Sequence, residues 1–148
     1  MKKNMLLINT CLLVALLFFS MSLNIQQNKD WPVPDKYNKM KNPYADEKDS
    51  DQIGRELYAV HCKSCHGTKG KGDGNKAASI DTPIGDFTDG SIAGQSDGSI
   101  YYKTVFGRDD MPSFEKKIAD EEERWLLINY ILSHDPPPEW IEKRWKIH

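Results

Sequence analysis

Cys62 and Cys65 stand three positions apart in the stretch YAVHCKSCHGTKGKGDG, and His66 follows the second thiol directly. Four chemistries use such a cluster. A structural disulfide leaves His66 without a role, and disulfide scaffolds in exported chains carry several pairs. A tetrahedral zinc site needs four ligands, of which this stretch offers three, so a distant His134 or His148 would have to complete it. A thioredoxin-like dithiol expects a strand ahead of it and a βαβ setting, and no strand pattern precedes Cys62. The fourth chemistry is covalent haem attachment, whose signature is C-x-x-C-H. Two thiols add to the vinyl groups on one edge of the porphyrin, and the imidazole of the next residue lies under the iron as proximal ligand. That reading uses all three residues.

The iron of such a group needs a sixth ligand or an open site, and the candidates are Met111, Met40 and the histidines at 61, 134 and 148. Met111 lies in GRDDMPSF, where Pro112 stiffens the backbone beside it and the flanks are polar loop. A methionine in an apolar stripe reads as core packing; this one does not. Met111 is therefore the expected axial ligand opposite His66. His61 falls on another side of its helix from the cysteines and reads as a surface residue. His134 ends a helix, where an imidazole suits the negative pole.

The elements that must hold these residues are helices. Ser50 or Asp51 can cap a first helix running from about Asp51 to Val60, with Ile53, Leu57 and Val60 at the spacing of a buried stripe. Gly54 inside it costs about 1 kcal/mol relative to alanine and marks a place where another backbone can come close. From Gly67 to Asp89 glycine, proline and short polar residues predict loop, with at most a helical turn around Ala77. Ser96 or Asp97 caps a second helix that Gly107 stops. Asp120 and Glu123 stand in capping-box position for a last helix, with Leu127, Tyr130 and Ile131 as its apolar stripe and an end near Ser133 ahead of Pro136. No strand pattern occurs. An all-α domain of this size has a thin core, which a bound group commonly completes.

The opening residues, to position 22, carry Lys2 and Lys3, an apolar run, and Ser20 and Ser22 spaced for signal-peptidase cleavage; uncleaved, the run is just long enough to anchor the chain in a bilayer. Residues 23–49, with Trp31, Pro32, Pro34 and Pro43, predict an extended linker or wrapping arm. Residues 50–135 form the domain, and 136–148 a tail. The chain has 20 basic and 22 acidic residues, and a cut after Ser22 removes two lysines and no acid, which argues against a nucleic-acid partner.

Gly54 and Tyr58, the C-x-x-C-H motif at Cys62, Cys65 and His66, GKGDG at Gly70 to Gly74, Gly107, Met111 and Pro112, and then Leu127 and Tyr130 together resemble a class I monohaem c-type cytochrome of the small bacterial type. The resemblance covers about Asp51 to Ser133. It implies a small cytochrome c fold, three to four helices with long loops around one covalent haem c, whose first and last helices cross near Gly54 and Tyr130. It also implies a proline carbonyl accepting the proximal imidazole's proton, with Pro83 as candidate, and pocket walls drawn from Phe87, Tyr101, Tyr102, Val105, Phe106 and Phe114. Histidine and thioether together fill the iron's coordination and raise its potential. The expected function is one-electron transfer between redox partner proteins, outside the cytoplasmic membrane or in the periplasm, without enzymatic activity. Two alternatives stand beside it: a dedicated subunit of a larger respiratory or dehydrogenase complex, and a haem peroxidase.

Overall fold

The computed structural model describes residues 31–47, 50–92 and 94–134. The expected leader at 1–22 and tail at 136–148, with His148, lie outside the described residues. The chain divides into two units, Met1–Pro32 and Val33–His148. Of the first, only Trp31 and Pro32 are described, and every element named below belongs to the second.

Five α-helices are described: α1 at Asp35–Asn38, α2 at Ser50–His61, α3 at Lys63–His66, α4 at Asp97–Phe106 and α5 at Glu121–Leu132, with a 3-10 turn at Ala77–Ser79. The only β pairing among the described residues is an isolated antiparallel bridge between Arg108 and Met111. The class is all-α, as the patterning predicts.

Both long caps form as read. Ser96 Oγ accepts the Ser99 N–H at the start of α4, and Asp120 Oδ1 accepts the Glu123 N–H at 3.0 Å at the start of α5, each satisfying an orphan donor of the first turn. Gly107, with φ of 65°, ends α4.

The buried face of α2 differs from the expected stripe. Ile53 is 40% and Val60 75% exposed, whereas Gly54 and Tyr58 are buried, and Cys62 continues that row. The face is rotated by about one residue because α2 packs on α5 through Gly54, a position that contributes nothing to an apolar count. A methyl group on Gly54 would run into the Leu126 carbonyl and lie 2.9 Å from Tyr130 Cβ. One turn on, the Tyr58 and Tyr130 rings meet at 5.2 Å.

Helix α5 packs against both α2 and α4. Its buried surface is therefore wider than the stripe of Leu127, Tyr130 and Ile131, taking in Trp125, Leu126 and Ile128 as well. Arg124 at its start donates to the carbonyls of Glu115 (2.7 Å), Ile118 (2.7 Å) and Ala119 (3.2 Å), which ties the loop before α5 down. The core joins Tyr58, Tyr101, Val105, Phe114, Trp125, Ile128 and Ile131.

Part of the segment read as an arm is helical. Pro34 presets the backbone ahead of α1 and its carbonyl accepts the Tyr37 N–H at 2.9 Å. Tyr37 then rests on Tyr102 and Phe106 of α4, with centroids 4.8 and 5.5 Å away. Asn42 Nδ2 donates to Asn129 Oδ1 at 2.6 Å and Asn129 Nδ2 to the Tyr44 carbonyl at 2.7 Å, so the segment wraps from α4 to α5.

Candidate haem site

Helix α2 ends at His61, and Cys62 serves as N-cap of the single turn α3. The carbonyl of Cys62 accepts the N–H groups of Cys65 (3.1 Å) and His66 (2.9 Å), so Cys62, Cys65 and His66 share one helical turn. Following loop residues fold back onto that turn: Gly74 N–H donates to the Cys65 carbonyl at 3.0 Å and Lys76 N–H to the Ser64 carbonyl at 2.8 Å. The buried Tyr58 hydroxyl donates to the Gly67 carbonyl at 2.8 Å, and burial raises its pKa, keeping the proton on that donor.

Both cysteines are unpaired, Cys62 buried and Cys65 half-buried. Burial, and then the neighbouring Cys65, pushes the Cys62 thiol up to about 12. A thiolate metal ligand needs the opposite shift. Among the described residues no three His, Cys, Asp or Glu side chains gather to hold a metal ion, and the Nδ1 of His134, once a candidate fourth zinc ligand, donates to the Tyr130 carbonyl at 2.9 Å. Burial lowers the His66 pKa, the Gly85 backbone opposing it, so the imidazole is neutral with a free lone pair. Its Nδ1 is buried and makes no hydrogen bond of good geometry among the described residues. Phe87 stacks on the ring at 4.5 Å and 21°, and the Phe87 N–H donates to the Gly70 carbonyl at 2.7 Å.

Met111 is half-buried and packs against the core. Two backbone bonds of 2.9 Å with Arg108 close a tight turn in which Asp109 takes a left-handed φ of 52°. The Gly107 position, where a side chain would strike the Met111 carbonyl and Pro112, lets α4 end directly against this turn. In the loop ahead of Phe87, Thr82 donates both its hydroxyl (2.6 Å) and its N–H (3.1 Å) to Asp110 Oδ2, and these two bonds hold the Asp110 carboxyl below the usual carboxylate range.

A protein-family model described as cytochrome C oxidase, cbb3-type, subunit III matches residues 49–131. The chain belongs to that family. It is a monohaem c-type cytochrome domain, with covalent haem c as its cofactor. No curated protein matches it. Among solved structures, a chain of the reducing HAO-like protein complex of Kuenenia stuttgartiensis is 31% identical with a TM-score of 0.54, over 60% of this chain. The match covers 45% of that solved chain's length.

The residues of this cytochrome fit the group: two unpaired thiols on one turn and a neutral imidazole after them with an unsatisfied Nδ1. Of the expected walls, Tyr101, Val105 and Phe114 are in the core, Phe87 and Phe106 pack on its edge, and Tyr102 meets Tyr37 and Phe106. Pro83 is exposed, and the backbone that interacts with His66 is that of Gly85. Of the other ligand candidates, His61 packs its ring edge on Phe114, His134 stacks on Tyr58, and Met40 packs on the core. Gly85, Arg124 and the Thr82–Asp110 pair carry no signal in the sequence, since each acts across a gap of chain that only folding closes.

Proposed function

We propose that this cytochrome is an exported one-electron carrier in which Cys62 and Cys65 hold the haem as thioethers and His66 and Met111 are the axial ligands. The observation that carries this reading is the single turn bearing Cys62, Cys65 and His66, with the imidazole neutral and backed by Phe87. Haem c supplies a one-electron couple at its iron, and a thioether ligand favours the reduced form. The chain's own work is to orient and to shield. Phe87 restricts the imidazole plane, the Arg108–Met111 turn fixes the thioether's backbone, and the aromatic core keeps water from the site.

Lys63, Lys69 and Lys71 line an open depression beside the motif together with Asp73 and Gly74. That cationic rim supports docking of an acidic patch on a redox partner, which raises encounter rates more than affinity. Export is supported by the opening residues of the sequence; among the described residues no helix is long and apolar enough to cross a membrane.

The test is the oxidised holoprotein's methionine-to-iron charge-transfer band. It should be present in the wild type and lost in Met111→Ala, and persistence in that variant rejects the assignment. Haem retained on denatured wild type and lost from the Cys62→Ser, Cys65→Ser double variant checks the thioethers. A second reading, a dedicated subunit of a larger assembly, is favoured by the likeness to a chain of a protein complex. Co-purification of a stoichiometric partner from native membranes would select it over a free carrier.

A further inference from the structure

Thr82 lies three residues ahead of Gly85, whose backbone interacts with His66, and five ahead of Phe87, whose ring stacks on His66. Asp110 directly precedes Met111 in the turn closed by Arg108. The paired Thr82–Asp110 hydrogen bonds therefore join the wall behind one candidate ligand to the turn that bears the other, across a sequence separation of 28.

We propose that Thr82 and Asp110 are positioning residues for the distal ligand: together they latch the Met111 turn to the loop that backs His66. The inference rests on the His66 and Met111 assignment made above. A thioether is a weak, neutral ligand, and a stronger one displaces it once its loop swings away. Swinging the Met111 turn out either breaks both bonds to one carboxylate oxygen or drags the Thr82 loop, and with it the Phe87 wall, off the imidazole. The bonds are charge-assisted, so each exceeds a neutral bond of the same length. Because the pair is partly exposed, its effect falls in the range of ordinary net hydrogen bonds. The latch sets the population of the methionine-off state, and the apparent affinity of any competing ligand scales with that population.

The experiment titrates oxidised holoprotein with imidazole and follows loss of the methionine-to-iron charge-transfer band. Asp110→Ala, which removes the acceptor of both bonds, should tighten apparent imidazole binding by about threefold to tenfold. Thr82→Val keeps the backbone donor and should give a smaller change of about twofold, and it should add nothing in the Asp110→Ala background. Thermal unfolding followed by helical circular dichroism separates a latch from general loosening: a drop in Tm with an unchanged imidazole constant overturns the proposal. So does a wild-type constant in both single variants, or full additivity in the double variant. If Asp110→Ala does not fold, Asp110→Asn, which keeps an acceptor oxygen but removes its charge, should shift the imidazole constant in the same direction by a smaller factor, and an unchanged constant there overturns the proposal. Absence of the band in the wild type, with Met111→Ala binding imidazole as the wild type does, rejects the ligand assignment and the latch with it. A wild-type band with unresponsive variants rejects the latch alone.

Discussion

Phe87 and His66 lie ring on ring, 4.5 Å between centroids and 21° between planes, with the Phe87 backbone tied to Gly70 in the loop that follows the C-x-x-C-H turn. The phenyl ring is thus held from both sides, by its backbone bond and by the imidazole it covers. Removing it in Phe87→Ala should cost about 2–3 kcal/mol, less than the 3–5 of a fully buried phenylalanine because this ring is half-buried. Denaturant unfolding of the holoprotein reads that loss. Phe87→Leu should recover most of it.

Gly54 meets the Leu126 carbonyl with no room for a methyl group. An alanine in an exposed helix would gain about 1 kcal/mol over glycine. Here the overpacking cost exceeds that gain, and Gly54→Ala should destabilise the fold by about 1–3 kcal/mol net. A rise in Tm in this variant would show that α2 and α5 do not cross at this point.

Asn129 both accepts from Asn42 and donates to the Tyr44 carbonyl. Asn129→Ala leaves the Asn42 amide and that carbonyl without their partner and should release the wrapping segment from α5 at a cost of about 1–2 kcal/mol. Faster amide exchange, or faster proteolysis, confined to residues 39–47 is the expected readout. Uniform acceleration across the domain would contradict it.

The Ser91 N–H donates to Asp89 Oδ1 at 2.8 Å, and the Ser91 side chain and this N–H lower the Asp89 pKa in the folded state. A folded pKa below the unfolded one means that the stabilisation is present above the ordinary carboxylate value of about 3.9 and is lost as pH falls through the folded value. Wild type should therefore exceed Asp89→Asn in stability at neutral pH, and the gap should close as pH falls below the ordinary carboxylate value and through the lowered folded one. Unfolding free energies measured from neutral pH down into the acid range check the sign.

Local chemistry was legible without coordinates. Cys62, Cys65 and His66 read as one unit because the turn that unites them is one helical turn long, and Ser96, Gly107, Asp120 and Glu123 bound their helices through bonds within four residues. The crossing at Gly54 was legible too, because a glycine inside a helix needs a reason. The register of α2 was not: Ile53, Leu57 and Val60 have the right period, yet which side of a helix is buried depends on where its partner comes closest, and that point is a residue without a side chain. Equally hidden were the docking of Tyr37 on Tyr102 and Phe106, the three carbonyls gathered by Arg124, the Gly85 backbone beside His66, and the bridge from Thr82 to Asp110. Each joins residues that no local pattern relates. The sequence alone determined the C-x-x-C-H grouping and the helical elements, because motif spacing and capping are short-range; the tertiary structure decided which faces meet and which loops brace His66 and Met111, because those depend on contacts between distant parts of the chain.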